Sequence, residues 1–298
     1  MRLLPIVVSV LLAGAACGGE NPTSVTSSGK GRPSDAPSAD AANTRYTATT
    51  TVLESSDHGP QLCLGGVQES YPPQCGGPDV IGWDWDLVQG EESVNGTTWG
   101  TYTVVGTWDG EALTLTEPAA SPEPPDSRDR DQPRFSTPCP EPEAGWKVVD
   151  ESAASEQAMQ AAIEYARSQP TVGGVWMDQS INPVADEDPI DESRTNDPTR
   201  SILNVSFTDD LEAHEAAIGE IWGGPLCVSE APVSAAELAE IRGEVEADVG
   251  DFLSSSINEV DGRVEIGVAI DDGLQQRFDE RYGSGVVDVQ AQLRPVDG

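Results

Sequence analysis

The sequence predicts an α+β protein in which a small all-β domain precedes a duplicated domain of helices and strands. Two observations lead to this prediction. Short segments rich in Thr, Val and aromatic residues dominate residues 45–117, and the order helix, strand, strand, helix, strand occurs twice within residues 148–298. Period-two segments favour strands with one buried face, and repeated orders of this kind favour largely antiparallel sheets covered by helices.

Residues 45–117 contain five predicted strands. The clearest signal is an alternation of apolar and polar or small residues, which runs from Ile81 through Trp83 and Trp85 to Leu87. The dipeptide Asp109-Gly110 predicts a tight hairpin turn between the last two strands. So many short strands in a brief segment indicate a small barrel of OB-like type.

Residues 148–298 form two αββαβ copies, at 148–231 and 232–298. Their best local match aligns residues 205–211, Val-Ser-Phe-Thr-Asp-Asp-Leu, with residues 268–274, Val-Ala-Ile-Asp-Asp-Gly-Leu. The paired carboxylates suit helix N-termini, so we expect capping roles for Asp209, Asp210, Asp271 and Asp272. Paired glycines at 65–66, 76–77, 173–174 and 223–224 are interpreted as turns.

The N-terminus carries an export signal. Met1 and Arg2 precede a nearly wholly apolar run from Leu3 to Ala16. That run is too short to span a bilayer, which takes about 20 apolar residues, and it has the form of a secretory signal peptide.

The end of this signal, Leu11-Leu12-Ala13-Gly14-Ala15-Ala16-Cys17, resembles the lipobox of bacterial lipoproteins, with Gly14 where that family prefers Leu. The resemblance implies that Cys17 becomes the new N-terminus and carries a diacylglycerol thioether. The lipid would hold the mature protein on the extracytoplasmic face of the cell membrane. An ordinary secreted protein cleaved nearby, with Cys17 incidental, is the alternative.

Two further segments have the composition of linkers. Residues 18–44 are rich in Ser, Thr, Gly, Pro and Ala, and we expect a flexible tether between lipid and domain. Residues 118–147 contain eight prolines and are interpreted as an extended connector between the two domains.

Four cysteines remain once Cys17 is set aside, an even number that fits an oxidising compartment. They allow three pairings. We favour Cys63–Cys75, because these two flank one Gly- and Pro-rich loop, and Cys139–Cys227 then follows by elimination. A zinc cluster is disfavoured because the sequence contains no Cys-x-x-Cys and has two histidines only.

The net charge of −36 argues against nucleic acid as a partner, and it indicates either a surface that attracts cations or basic partners or simply a well-solvated acidic surface. One acidic loop, residues 179–200, replaces the tight turn found in the second copy. Its carboxylates predict either a cation- or partner-binding site or a solvated insertion, and the candidate metal ligands are Asp186, Asp188, Asp191 and Asp197. No cofactor motif is found.

The sequence gives little indication of a group of catalytic residues. His58 lies in a turn sequence, and His214 is expected on the exposed side of its helix, so neither predicts a nucleophile–histidine pair. The tryptophans at 83, 85, 99 and 108 predict either barrel core or a platform that stacks a sugar or peptide. The loop stapled by Cys63 and Cys75 is either a recognition surface or a scaffold element.

The sequence therefore favours a surface-anchored, non-catalytic binding or scaffold protein of the cell envelope, with a possible protein or cell-wall partner and no catalytic residue assigned. One alternative is an envelope enzyme or enzyme accessory. In element order the paired units are similar to the pro-regions of secreted bacterial serine proteases, which implies a chaperone or inhibitor. A calcium-responsive module is the other alternative.

Overall fold

The chain is α+β, as the sequence predicts. A computed structural model describes residues 44–122, 135–186 and 197–296, except the side chains of residues 185 and 186. These ranges contain four α-helices and thirteen β-strands in three sheets. The predicted lipidation site Cys17, residues 18–43 of the tether and residues 123–134 of the connector lie outside the described residues.

The first sheet closes on itself into a ring of five strands, with a sixth strand attached. The strands are β1 (Arg45–Ser55), β2 (His58–Leu62), β3 (Asp79–Ile81), β4 (Glu92–Val94), β5 (Thr97–Trp108) and β6 (Ala112–Leu115). Antiparallel pairing joins β1 to β2, β2 to β3, β5 to β6 and β5 to β1, whereas β3 and β6 run parallel. Strand β4 pairs with the first residues of β5.

Alternation along β1 and β5 fills this ring. Val52 of β1 and Tyr102 and Val104 of β5 point inwards and are buried in one apolar cluster. On the outer face, Thr49 lies opposite Thr103, and their hydroxyl groups are 2.8 Å apart. The period of two thus separates an apolar inside from a hydroxyl-rich outside, which is the pattern expected for strands with one buried face.

The end of the described chain returns to this ring. Strand β13 (Arg294–Pro295) pairs antiparallel with the beginning of β1, where Tyr46 lies opposite Pro295. Leu293, just before β13, is fully buried in the ring core. The sheet therefore has seven strands, and the last of them comes from the opposite end of the sequence.

The two repeats have the same order of elements. The first consists of α1 (Glu156–Ser168), β7 (Val172–Asp178), β8 (Ile202–Phe207), α2 (Leu211–Gly219) and β9 (Leu226–Glu230). The second consists of α3 (Ala235–Val249), β10 (Ser254–Asn258), β11 (Arg263–Val268), α4 (Leu274–Tyr282) and β12 (Val287–Ala291). In each, the central strand pairs antiparallel with the strand before it and parallel with the strand after it.

N-cap side chains begin two of the four described helices. Ser155 accepts a hydrogen bond from the Ala158 N–H, and Ser234 forms a capping box with Glu237. Of the four carboxylates predicted to cap, Asp271 accepts from the Gln275 N–H at 3.1 Å. The prediction is wrong for Asp210, which stands at the N-cap with a left-handed φ of 53° and no side-chain cap hydrogen bond.

One pair of glycines predicted as a turn lies instead inside strand β7. A Cβ atom on Gly173 would overlap the Ala231 side chain, and one on Gly174 would overlap the backbone oxygen of Glu259. Ala231 ends the first repeat, whereas Glu259 lies between β10 and β11 of the second. The absent side chain at Gly174 therefore lets the second repeat lie directly against β7.

The predicted strand through the tryptophans is also shorter than expected. Strand β3 ends at Ile81, because Gly82 turns the chain with a φ of 87°. Asp84 then caps a short 3₁₀ turn over Trp85–Leu87 by accepting a hydrogen bond from the Asp86 N–H. Apolar residues continue to alternate with polar ones after Gly82, but the chain no longer forms a strand there. Leu87 is consequently 75% exposed.

Two disulfides are present and have the favoured pairing. Cys63 and Cys75 are 5.5 Å apart at Cα and close the loop between β2 and β3. Cys139 and Cys227 are 5.8 Å apart and attach the connector to β9. Each bridge stabilises the fold by roughly 2–4 kcal/mol, chiefly by restricting the unfolded chain.

The close approach at β7 gives a stability test. Gly174→Ala should lower the free energy of unfolding by about 1–3 kcal/mol, because the new methyl group overlaps backbone atoms. Gly243→Ala is the control: Gly243 is exposed on α3, nothing lies within 4 Å of the added Cβ, and stability should rise by up to about 1 kcal/mol. Urea unfolding followed by circular dichroism measures both, and equal midpoints for Gly174→Ala and the parent chain would contradict the packing described.

Candidate functional site

A cleft of about 910 Å³ lies between the two repeats. We call it the inter-repeat cleft. Strand β7 of the first repeat and the β10–β11 hairpin of the second form its walls. Its lining residues are Phe135, Ser136, Val175, Trp176, Ile257, Asn258, Glu259, Val260, Asp261, Arg263, Glu265 and Gln290. This volume is typical of small-molecule sites, which span about 300–1,000 Å³.

A charged network occupies the hairpin side of the cleft. The Arg263 guanidinium lies 2.8 Å from the Asp261 carboxylate and 3.5 Å from that of Glu265. Asn258, opposite Arg263 in the strand register, donates from its amide to the same two carboxylates at 3.0 and 2.8 Å. The hairpin pairing therefore brings one cation, one amide and two acids together on the cleft wall.

A third carboxylate ties the hairpin to the first repeat. The Val175 N–H of β7 donates to the Glu259 carboxylate at 3.2 Å. Three carboxylates thus line the cleft against the single guanidinium of Arg263. The excess of negative charge attracts positively charged groups.

The opposite wall of the cleft is apolar and aromatic. Trp176 is 8% exposed and donates from its indole nitrogen to the Ser136 carbonyl at 3.4 Å, while Phe135 is 57% exposed at the rim. The segment that carries both Phe135 and Ser136 is fixed by Asp178, whose carboxylate accepts from the Thr137 N–H at 2.8 Å. An aromatic wall facing excess carboxylate is suited to a ligand that combines a cation with an apolar part.

The Asp178 side chain is itself unusual, because it is a buried carboxylate. Burial raises its pKa, but hydrogen bonds from Ser180 and Thr137 lower it by more, and the pKa lies below its ordinary value. The ionised form is therefore the one that the folded state stabilises. Asp178 positions one wall of the cleft and does not line it.

The four predicted metal ligands do not form a described site. Asp197 caps the turn Pro198–Arg200, accepts from the backbone and hydroxyl of Thr199, and pairs with Arg200 at 3.3 Å. The Thr199 hydroxyl is the main cause of the lowered pKa of Asp197. Asp188, Asp191 and the side chain of Asp186 lie outside the described residues. Among the residues that are described, no group of three or more His, Cys, Asp or Glu could hold a metal ion.

The expectation that His214 is exposed is wrong. Its ring stacks on the buried Phe207 ring with centroids 3.9 Å apart, because β8 ends directly beneath the first turns of α2. Its two ring nitrogens are hydrogen-bonded to the Tyr165 hydroxyl at 3.1 Å and the Thr171 hydroxyl at 3.2 Å. These contacts hold α2 against α1. His58 begins β2, where its Nδ1 contacts the Gly59 carbonyl.

The tryptophans divide between the core and the stapled loop. Trp83, Trp85 and Trp108 pack against the ring core. Trp99 lies edge-on to Tyr71 of the stapled loop, at a centroid distance of 5.8 Å, and Tyr71 is 74% exposed. Three of the four residues considered for a stacking platform therefore contribute to packing, and the fourth supports the loop.

The sequence analysis did not single out the cleft residues. A signal is present in the hairpin, where Asn258, Asp261, Arg263 and Glu265 cluster within eight positions. Because the chain has 52 acidic residues, such a cluster cannot be distinguished by sequence from an ordinary solvent-exposed turn. Only the approach of β7, which depends on tertiary packing, turns the hairpin surface into one wall of a cleft.

Removal of the Asp178 charge should be most damaging at neutral pH. A carboxylate with a lowered folded pKa stabilises the fold above its ordinary pKa of 3.8, and that stability is lost as the pH falls through the folded pKa. Asp178→Asn should therefore cost about 1–3 kcal/mol at pH 7, and the gap to the parent chain should narrow below pH 3.8.

The control for this test is Asp251→Asn, an exposed position at which we expect a change within about 0.5 kcal/mol. Urea unfolding of the parent and both variants, measured from pH 7 down to pH 3, provides the comparison. A gap that stays constant with pH would contradict the role given to the ionised carboxylate.

The chain matches no family model, no curated protein and no solved structure. None of the helices in the described ranges is long and apolar enough to cross a membrane.

Proposed function

We propose that this chain is a lipid-anchored, non-catalytic binding protein of the bacterial cell envelope, and that the inter-repeat cleft holds its ligand. The cleft itself is the observation that carries the proposal. It has the volume of a ligand site, an aromatic wall and an excess of carboxylate. Its charged groups are engaged with one another and with backbone, an arrangement better suited to holding a ligand than to attacking one.

The ligand that fits this lining carries positive charge next to an apolar or aromatic portion. Phe135 and Trp176 offer ring surface, and the carboxylates of Glu259, Asp261 and Glu265 offer the counter-charge. Arg263 already neutralises part of that charge, so a cationic ligand would share or displace its contacts. An anionic ligand would meet three carboxylates and be repelled.

Export and lipid anchoring are supported by the N-terminal signal and by the two disulfides. Two bridges that join all four cysteines beyond Cys17 are typical of proteins that fold in an oxidising compartment. A diacylglycerol on Cys17 would give stable membrane attachment, since two acyl chains bury many methylenes at about 0.8 kcal/mol each. The partner or ligand would then be met at the extracytoplasmic surface.

We further propose that the five-strand ring is an OB-like barrel that serves as the platform for the repeats. The closed order β1, β2, β3, β6, β5, with β3 and β6 parallel, supports this description. Leu253, Ala269 and Ile270 of the second repeat pack against the ring core, and β13 joins its sheet. These contacts would hold the second repeat, which forms the hairpin wall of the cleft, against the ring.

Photo-crosslinking on living cells tests the cleft. A benzoylphenylalanine at position 135 should capture a ligand or partner, because Phe135 lies exposed at the rim. The same group at position 149, where the natural Val149 is 86% exposed but not part of the cleft lining, is the matched control. Asp261→Asn combined with Glu265→Gln should reduce capture at position 135. Identical capture from both positions would contradict the cleft as the binding site.

Intact-mass spectrometry tests the anchor. The protein from the membrane fraction should begin at Cys17 and carry the mass of a diacylglycerol, and Cys17→Ser should release the chain into the medium. A Ser variant that stays in the membrane fraction, or a parent protein with an unmodified thiol, would contradict lipid anchoring.

A further inference from the structure

A second cavity, of about 280 Å³, opens at one edge of the five-strand ring. We call it the ring groove. Strands β3 and β6 run parallel, so the chain leaves both at the same edge of the sheet. The segments that follow them, residues 82–88 and 116–119, therefore face each other across the groove. Its lining residues are Gly82, Trp83, Asp84, Leu87, Val88, Leu115, Thr116, Glu117, Pro118 and Ala119.

The base of the ring groove is fixed by aromatic packing. The Trp83 ring lies 5.1 Å from both Trp85 and Tyr102, measured between centroids, in edge-to-face geometry. Trp85 is held in turn by a hydrogen bond from its indole nitrogen to the Glu54 carboxylate. A groove built on such a cluster is already formed before any partner binds, which lowers the entropic cost of association.

Leu87 stands beside this groove on the capped 3₁₀ turn. It is 75% exposed, and Ile81, at the end of β3, is 50% exposed. Single exposed apolar residues are common on protein surfaces and need no explanation. Here two of them flank an apolar groove on a rigid edge, which is the arrangement found where a partner contributes an apolar side chain.

Size and charge define the partner. A volume of about 280 Å³ lies at or below the lower limit for drug-sized ligands, so the groove accommodates one apolar side chain more readily than a whole ligand. The exposed carboxylates around it are Asp84, Asp86 and Glu117, and Arg45 pairs with Glu117. In a chain of net charge −36, this rim favours Lys or Arg next to the apolar side chain.

We propose that the ring groove docks a segment of a partner protein in which one apolar side chain is flanked by Lys or Arg. The site is separate from the inter-repeat cleft and does not depend on it. An anionic lipid surface is disfavoured as the occupant because the rim carboxylates would repel its headgroups. A second copy of this chain would bring the same acidic rim against itself.

Fluorescence anisotropy with three fluorescein-labelled pentapeptides tests the proposal on the full chain. The probes are Lys-Lys-Leu-Lys-Lys, the same peptide with Gly at its centre, and Glu-Glu-Leu-Glu-Glu. We expect the first to bind about tenfold more tightly than either of the others, because only it supplies both the buried side chain and the complementary charge. Leu87→Ala should remove most of this difference. Val149→Ala, which shortens an exposed apolar side chain outside the ring groove, should leave it unchanged.

Three outcomes would overturn the proposal. The first is equal affinity for the Leu- and Gly-centred peptides, which would indicate charge attraction alone. The second is an absence of binding, or binding that Leu87→Ala does not weaken. The third is self-association of the chain in sedimentation experiments that Leu87→Ala abolishes, which would make a second copy the occupant. The Leu-centred peptide also has the charge and the apolar part expected of a cleft ligand, so it is the loss of affinity on Leu87→Ala that assigns it to the ring groove. Affinity that Leu87→Ala leaves unchanged, but that Asp261→Asn combined with Glu265→Gln reduces, would assign the peptide to the cleft and overturn the proposal.

Discussion

At Gly174 the backbone of β7 lies directly against the second repeat, and the relative position of the two repeats depends on this contact. A side chain at Gly174 would overlap the backbone of Glu259, and one at Gly173 would overlap Ala231 at the end of the first repeat. The hydrogen bond from Val175 to Glu259 follows from the same approach. The inter-repeat cleft is the space left beside this contact, so its width is set by backbone geometry and not by flexible side chains.

The ring, the connector and the two repeats are held together by side-chain contacts as well as by the continuous backbone. Leu253 and Ile270 of the second repeat pack on the ring core, and Leu293 completes that core from within. The first repeat is attached through the connector by the Cys139–Cys227 bridge and by the hydrogen bond between Thr137 and Asp178. Apolar contact thus joins the second repeat to the ring, whereas covalent and polar contacts join the connector to the first repeat.

Sequence reasoning succeeded where local signals decide the structure. The period-two segments gave the α+β class, and the bounds of β7 and β8 follow from buried runs ended by a turn or a cap. It failed where distant contacts decide. Gly173 and Gly174 look like a turn until the chain segments around Ala231 and Glu259 are found against them, and His214 looks exposed until Phe207 is found beneath it. The cleft combines residues from four separated segments, and no spacing within one segment could indicate it.

The pairing of β13 with β1 has a consequence for how the protein forms. Strand β1 is among the first parts of the folded region to be synthesised, yet Leu293 and Pro295, which complete its core and its edge, are among the last. The five-strand ring closes without β13, but its core lacks Leu293 and the beginning of β1 lacks its β13 partner until synthesis has reached Pro295. Contacts this distant in sequence slow folding, and a nascent chain stalled before this point would leave part of the β1 edge unpaired and prone to aggregation.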